Sequence, residues 1–296
     1  MTNAPIVFSL FGNESFQNKI CDKLHFEVGN LRIHHFPDKE MMIKIDTCVT
    51  GKDVIFISST DRPNEKIMPL IIAAETAREL GANKISLITP YLAYMRQDKQ
   101  FHAGEGITSK YFAKLLSTYF DWVITIDPHL HRWHSLDDVF TVKTTLLHAA
   151  QNMADWISQH VNRPLLIGPD MESTQWVADI AKKSHAPFLI VEKTRKGDRD
   201  VSATIPQIEL YPDHTPILID DIISTGVTMI ETIKHIQSYK IESILCLAVH
   251  AIFANQSYEK ILETGVRDII TCNTITHPSN KIDLGDLLVD ALQFMH

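Results

Sequence analysis

The chain has no long basic block. Its 296 residues carry 28 lysines and arginines against 36 aspartates and glutamates, a formal charge of −8. Phosphate-backbone binding needs a concentrated positive face, so nucleic acid is not among the expected partners. A negatively charged ligand would need a local site to supply the positive field. Cysteine is also scarce: Cys21, Cys48, Cys246 and Cys272 are scattered and form no C-x-x-C pair. They read as buried thiols of a reducing compartment, neither a disulfide frame nor a zinc site. The apolar run 6–11 is short, with no lysine or arginine before it, and does not read as a signal peptide. The longest other apolar stretch, 244–254, is interrupted by His250 and falls short of the ~20 residues a membrane span needs. A cytoplasmic protein with no membrane partner is expected. No Walker A loop occurs, and Gly104-Glu105-Gly106 does not complete a G-x-G-x-x-G. An ordinary P-loop kinase and a nicotinamide enzyme are therefore unsupported.

What the chain does have is an ordinary globular composition, 45% apolar and 22% charged, and a length that suits two domains. Short β-branched runs alternate with longer helical patterns. Strands are expected at 6–10, 54–58, 85–89, 122–126, 165–168, 188–191, 217–220, 244–249 and 268–271. Helices are expected at 64–80, 109–118, 144–160, 174–184, 227–239 and 257–263, the first ending at Gly81 as a C-terminal cap should. Such alternation implies an α/β chain built of open, mainly parallel sheets flanked by helices. Segments 31–35 and 41–46, joined by Phe36-Pro37-Asp38-Lys39-Glu40, read as a hairpin added to the first sheet. No linker rich in Pro, Gly or Ser separates the halves. The boundary is expected near 141–145, where a long helix opens the second series. The amphipathic closing stretch 284–295 is expected to pack back on the first half.

One segment carries the clearest chemistry. In Pro216-Ile-Leu-Ile-Asp220-Asp221-Ile-Ile-Ser224-Thr225-Gly226-Val227-Thr228, a buried strand ends in two carboxylates and a small polar turn opens a helix. Backbone N–H groups and hydroxyls of such a turn make an anion site at the helix N-terminus. Adjacent carboxylates would repel a phosphate unless aimed at hydroxyls or a metal. A sugar phosphate satisfies both demands, with its phosphate in the turn and its vicinal diol on Asp220 and Asp221. The plain alternative is an acidic pair that merely caps the following helix.

This segment resembles the phosphoribosyl diphosphate-binding loop of type I phosphoribosyltransferase folds. Further motifs narrow the resemblance to the ribose-phosphate diphosphokinase family, over nearly the whole chain: Phe36-Pro-Asp38-Lys-Glu40, Asn64-Glu65-Lys-Ile-Met, Pro90-Tyr91-Leu-Ala-Tyr94-Met-Arg96-Gln97-Asp98-Lys99, Gly104-Glu105-Gly-Ile-Thr108-Ser-Lys110, Asp127-Pro-His129, Gly168-Pro-Asp170 and Glu192-Lys193-Thr-Arg195. The resemblance implies two tandem phosphoribosyltransferase-like domains. The first, 1–143 joined by 285–296, would serve ATP, and the second, 144–284, ribose 5-phosphate. It also implies a homo-oligomer built from dimers.

The implied reaction moves the diphosphoryl group of ATP onto the C1 hydroxyl of ribose 5-phosphate and releases AMP. Phosphoryl transfer asks mainly for positioning and charge stabilisation. By resemblance Lys193 and Arg195 are the catalytic cations, although alone the run 192–200 would read as a solvated charged surface. His129 and Asp170 would serve Mg2+ and the ATP phosphates, His129 acting in catalysis as well. Phe36 and Arg96 would sandwich adenine, with Asp38, Glu40, Gln97 and Asp98 completing the ATP site. Structurally, Phe36 also fits a core aromatic at a turn. Asp220, Asp221, Ser224, Thr225, Gly226, Val227 and Thr228 would hold ribose 5-phosphate. The spacing of His129, His131 and His134, with no Cys or Glu adjacent, argues against zinc and places His131 and His134 at the surface or behind the site.

Three positions depart from the family pattern. Val227 stands where glycine is usual, so either the turn is rearranged or the position is already helical. Lys39 replaces the glycine of the Phe-x-Asp-Gly-Glu turn. Met171-Glu172-Ser173 follows Asp170 where glycine-containing sequences are common. The stretch 99–105 looks archaeal in type, which implies weak or absent activation by phosphate.

Overall fold

The computed structural model describes residues 4–130, 132–195 and 201–293, and for 193–195 and 201–203 the backbone alone. The chain divides into two compact units, residues 1–147 with 285–296, and residues 148–284.

The first unit holds β1 (Ile6–Ser9), α1 (Glu14–Leu24), β2 (Glu27–Val28), β3 (Leu31–His35), β4 (Met41–Ile45), β5 (Val54–Ile57), α2 (Pro63–Glu79), β6 (Ile85–Thr89), α3 (Thr108–Tyr119), β7 (Trp122–Ile126) and β8 (Lys143–Leu147). The second holds α4 (Ala150–His160), β9 (Pro164–Gly168), α5 (Thr174–Ser184), β10 (Phe188–Ile190), β11 (Glu192–Arg195), β12 (Val201–Thr204), β13 (Thr215–Ile223), α6 (Val227–Ser238), β14 (Leu245–Ala251), α7 (Ser257–Leu262), β15 (Asp268–Cys272) and β16 (Asn280–Ile282). The last helix, α8 (Gly285–Leu292), belongs to the first unit and packs on α1.

Each unit is built on a six-stranded sheet, β2-β1-β5-β6-β7-β8 in the first and β10-β9-β13-β14-β15-β16 in the second, every pair parallel. The alternating pattern of the sequence thus does fold into open parallel sheets flanked by helices. The two orders are the same. In both, the chain leaves the first central strand for an edge and returns on its other side, which opens a crevice at the strands' carboxyl ends. Central strands β5, β6 and β7 are buried throughout, and their near-continuous Val/Ile/Leu runs follow from having both faces covered.

Helix α2 ends as its sequence predicts. Gly81 takes φ +87°, its N–H reaches the Arg78 carbonyl (3.0 Å), and Ala82 N–H reaches Ala77 (3.0 Å). Those two bonds satisfy carbonyls that the end of a helix otherwise leaves free.

Four expectations need correction. Residues 144–160 are not one helix: 143–147 form β8, paired with β7, and the helix starts at Ala150. The β-branched Val142, Thr144 and Thr145 favour extended chain, and an open sheet edge was there to receive them. The hairpin does not join the first sheet. Strands β3 and β4 form their own antiparallel pair, with Ile43 buried and Leu31, Ile33 and Ile45 packed on the core beside α2. Strand β13 runs on past the two aspartates to Ile223, because Ile222 and Ile223 keep pairing with β14 after β9 has stopped at Leu218. Finally, Cys48 is exposed while the other three cysteines are buried; in the loop after β4 its neighbour Val49 takes the inward place.

Candidate active site

In the second unit the crevice between β9 and β13 gathers acids. Asp220 and Asp221 lie on the part of β13 that has lost its β9 neighbour, and Asp170 follows β9 directly. Asp170 folds back on its own chain: its Oδ1 accepts N–H bonds from Glu172 (3.0 Å) and Ser173 (3.2 Å). This caps the short turn formed by Met171–Ser173, the segment that departs from the family pattern. The Asp220 carboxyl is held well above the usual carboxylate range, first by burial and then by the negative charges of Asp221 and Asp170. The Asp221 N–H donates to Asp220 Oδ1 at 3.0 Å.

Past Ile223 the chain turns. Gly226 has φ +73°, and Val227 is the first residue of α6. The left-handed conformation therefore falls on the glycine, and Val227, 56% exposed, is helical; of its two expected arrangements the second holds. A β-carbon on Gly226 would also lie 3.1 Å from both Ser257 Cβ and Ile261 Cδ1. Ser224, Thr225 and Thr228 stand around this bend. The N–H groups of Val227, Thr228 and Met229 precede the first intrahelical donor, Ile230, and have no partner within the helix.

Lys193 and Arg195 stand on β11, which pairs antiparallel with β12 (Lys193↔Ala203, Arg195↔Val201). Their side chains lie outside the described part of the structure, as does His131. Alternation along a strand puts these two positions on the same face of the ribbon.

The first unit carries the remaining candidates on three segments. At the tip of the β3–β4 hairpin, Phe36 N–H bonds the Glu40 carbonyl (2.8 Å) and Lys39 N–H the Phe36 carbonyl (2.9 Å). Lys39 takes φ +74°, the conformation that glycine adopts freely. Asp38 Oδ1 accepts the Glu40 N–H at 3.1 Å. Phe36 is no core residue: it is 42% exposed, and the His34 ring meets it edge-on at 4.8 Å. After β6, Arg96 is exposed and Gln97 half-buried, whereas Asp98 is buried with its carboxyl against Arg132 Nη1 at 3.0 and 3.2 Å. After β7, Asp127 takes φ +36° immediately before Pro128 and delivers the half-buried His129. His134 is exposed.

Arg132 is a participant that motif reading missed. It covers Asp98, and its guanidinium lies 6.0 Å from the Phe101 ring. Phe101 belongs to a loop that closes on itself, Glu105 Oε2 accepting the N–H groups of Phe101 (2.9 Å) and His102 (3.0 Å).

Among the described residues, no group of three or more His, Cys, Asp or Glu side chains gathers in metal-binding geometry. The acids of the second unit nevertheless fit a hard divalent ion. Burial and the neighbouring charges of Asp221 and Asp170 raise the Asp220 carboxyl, and all three side chains offer oxygen ligands. Mg2+ takes few protein carboxylates and fills its shell with water and substrate oxygens.

Residues 5–119 match the family model for the N-terminal domain of ribose phosphate pyrophosphokinase, and residues 142–286 match the phosphoribosyl transferase domain. The ribose-phosphate pyrophosphokinase of Sulfurisphaera tokodaii is 31% identical over 87% of this chain and 89% of its own. That of Thermoplasma acidophilum is 29% identical over 98% and 99%. That of Saccharolobus solfataricus is 32% identical over 81% and 82%. In fold, the phosphoribosylpyrophosphate synthetase of Mycobacterium smegmatis superposes with a TM-score of 0.85 over 99% of both chains, at 21% identity. With both halves matched and relatives above 30% identity aligned over more than four fifths of the chain, the chain belongs to the ribose-phosphate pyrophosphokinase family.

Proposed function

We propose that the protein makes 5-phosphoribosyl 1-diphosphate, transferring the diphosphoryl group of ATP to the C1 hydroxyl of ribose 5-phosphate and releasing AMP. The observation that carries this reading is the pairing of Asp220 and Asp221 on β13 with the left-handed Gly226 bend that opens α6. The bend offers N–H donors and hydroxyls to a phosphate, and the aspartates accept from a vicinal diol. Hydroxyl donors favour the ionised form of Asp220, so sugar binding would pull its raised pKa back down.

Lys193 and Arg195 supply positive charge to the oxygens in transfer, where positioned cations act only as charge develops. Phe36 and Arg96 hold adenine from two sides, and Asp38, Glu40 and Gln97 bind the rest of the nucleotide. Asp98 acts by fixing Arg132. Asp170 of the second unit and His129 of the first would each serve as a ligand for Mg2+, which when bound neutralises phosphate charge and polarises the transferred group. Homo-oligomers, cytoplasmic residence and a division into an ATP unit and a sugar unit belong to the same reading. Among the described residues no helix is long and apolar enough to cross a membrane.

Mixing protein, ATP, Mg2+ and varied ribose 5-phosphate, and measuring AMP, tests the proposal. AMP release that saturates with sugar is the expected result. Formation of a nucleoside monophosphate and diphosphate only from an added nucleobase and preformed phosphoribosyl diphosphate, or no turnover at all, would overturn it in favour of a nucleobase transferase or a non-catalytic subunit.

A further inference from the structure

The segment after β14 is bent in an unfavourable way. Phe253, Asn255 and Gln256 take φ of +43°, +57° and +59°, three non-glycine residues in the left-handed region within four positions. Such a run persists only where surrounding contacts over-determine it. Three of its hydrogen bonds lead to the bend before α6. Phe253 N–H donates to the Ile223 carbonyl (2.9 Å) and Ala254 N–H to the Ser224 carbonyl (3.1 Å). Ser257, fully buried at the start of α7, donates its hydroxyl to the same Ser224 carbonyl at 2.6 Å. The rings of Phe253, Tyr258 and His277 lock the segment from outside, with centroids 4.5–5.1 Å apart.

This anchoring has a directional consequence. In a planar trans peptide the carbonyl and the following N–H point in opposite directions. Two donors draw the Ser224 carbonyl toward α7, so the Thr225 N–H is turned to the other side, where Thr225 is exposed. Gly226 then passes so close to Ser257 and Ile261 that a β-carbon would crowd both.

We propose that Ser257 is a positioning residue for the sugar-phosphate bend: by pinning the Ser224–Thr225 peptide it presents the Thr225 N–H to the phosphate of the substrate. The inference rests on the reading of that bend as the ribose 5-phosphate site. Ser257 touches no substrate itself and acts through the backbone.

The test is calorimetric binding of ribose 5-phosphate to the full chain and to Ser257→Ala, with AMP-release kinetics alongside. Loss of one buried hydrogen bond predicts sugar affinity weakened by about tenfold. At saturating sugar kcat stays within about twofold of the parent, and KM for ATP does not move. Ser257→Cys, with a weaker donor of similar size, falls between, and it carries the comparison if the alanine variant does not fold. Unchanged sugar affinity in a folded variant overturns the inference and leaves the assignment of the bend intact. Parallel losses in sugar affinity, kcat and KM for ATP also overturn it, since they indicate general loosening. No binding of ribose 5-phosphate by the parent protein overturns both.

Discussion

A carboxyl group in the position of Asp220 loses water to burial and gains two acidic neighbours, so its proton affinity rises. The sign of the effect on stability follows. A group whose folded pKa exceeds its unfolded value of ~3.9 stabilises the fold in acid and opposes it as pH rises through the folded value. Asp220→Asn is therefore expected to unfold at a higher temperature than the parent at pH 7, with the gap closing toward pH 4. Its KM for ribose 5-phosphate should rise about tenfold or more, the scale of losing a charged hydrogen-bond acceptor. Thermal scans across pH, read beside sugar kinetics, check both; a variant less stable than the parent at pH 7 would refute the crowding. For Lys193→Ala the expectation is a kcat lower by about 10²–10³-fold with ATP affinity kept. Equal loss of nucleotide affinity would deny it a transition-state role. These residues were legible because each sits in a contiguous motif. Ser257 and Arg132 were not, since each acts on a partner about 33 positions away, and no local spacing announces such a contact.

Among elements, the central strands and the longer helices could be read from apolar runs and their boundaries, and α5 spans the residues its periodicity gives. Failures cluster at sheet edges and in polar segments. Helix α1 buries one face as α5 does, but Gln17 stands in that face and most of the remaining residues are polar. Strands β2 and β16 are two and three residues long. Strand β8 is half-exposed, so propensity alone had to speak for it. The β3–β4 turn offers a direct test at this scale. Lys39 holds a left-handed conformation that costs a side chain roughly 1 kcal/mol, partly offset because glycine is freer when unfolded. Lys39→Gly is expected to raise stability by up to about 1 kcal/mol in denaturant titrations. A loss would mean the lysine side chain compensates for its backbone. In the same spirit, the archaeal-type stretch 99–105, which includes the closed loop around Glu105, implies weak or absent activation by phosphate. The rate should show no sigmoidal requirement for inorganic phosphate, and a clear one would contradict this.

For the molecule as a whole, the shared strand order of the two units lets equivalent positions be compared. The residue before α2 is Arg62, left-handed at φ +50°, just as Gly226 is before α6. Counting back equally from each cap, the places of Asp220 and Asp221 are taken in the first unit by Phe56 and Ile57, both wholly buried. Where the second unit places two acids, the first fills the same strand with core. The bend there is occupied by Lys66, buried and bonded to Asp61 at 2.5 Å and to the Ser59 carbonyl at 3.1 Å. The other molecule-wide feature is α8, whose Leu288, Val289 and Leu292 are buried and whose Asp286 bonds Lys19 and Lys23 of α1. Burying such side chains contributes about 1.5–3 kcal/mol each, a large part of the 5–15 kcal/mol typical of a domain. Ending the chain at Leu284 should lower the first unfolding transition by well over 10 °C; an unaltered melting curve would show the helix to be dispensable.

That helix also sets an order in time. Residues 148–284 are contiguous and can close as soon as they leave the ribosome, but the surface of α1 waits until residue 292 has been made. During synthesis the amino-terminal half is thus the last to be finished. A stalled chain would expose its oldest part, not its newest, to chaperones and proteases.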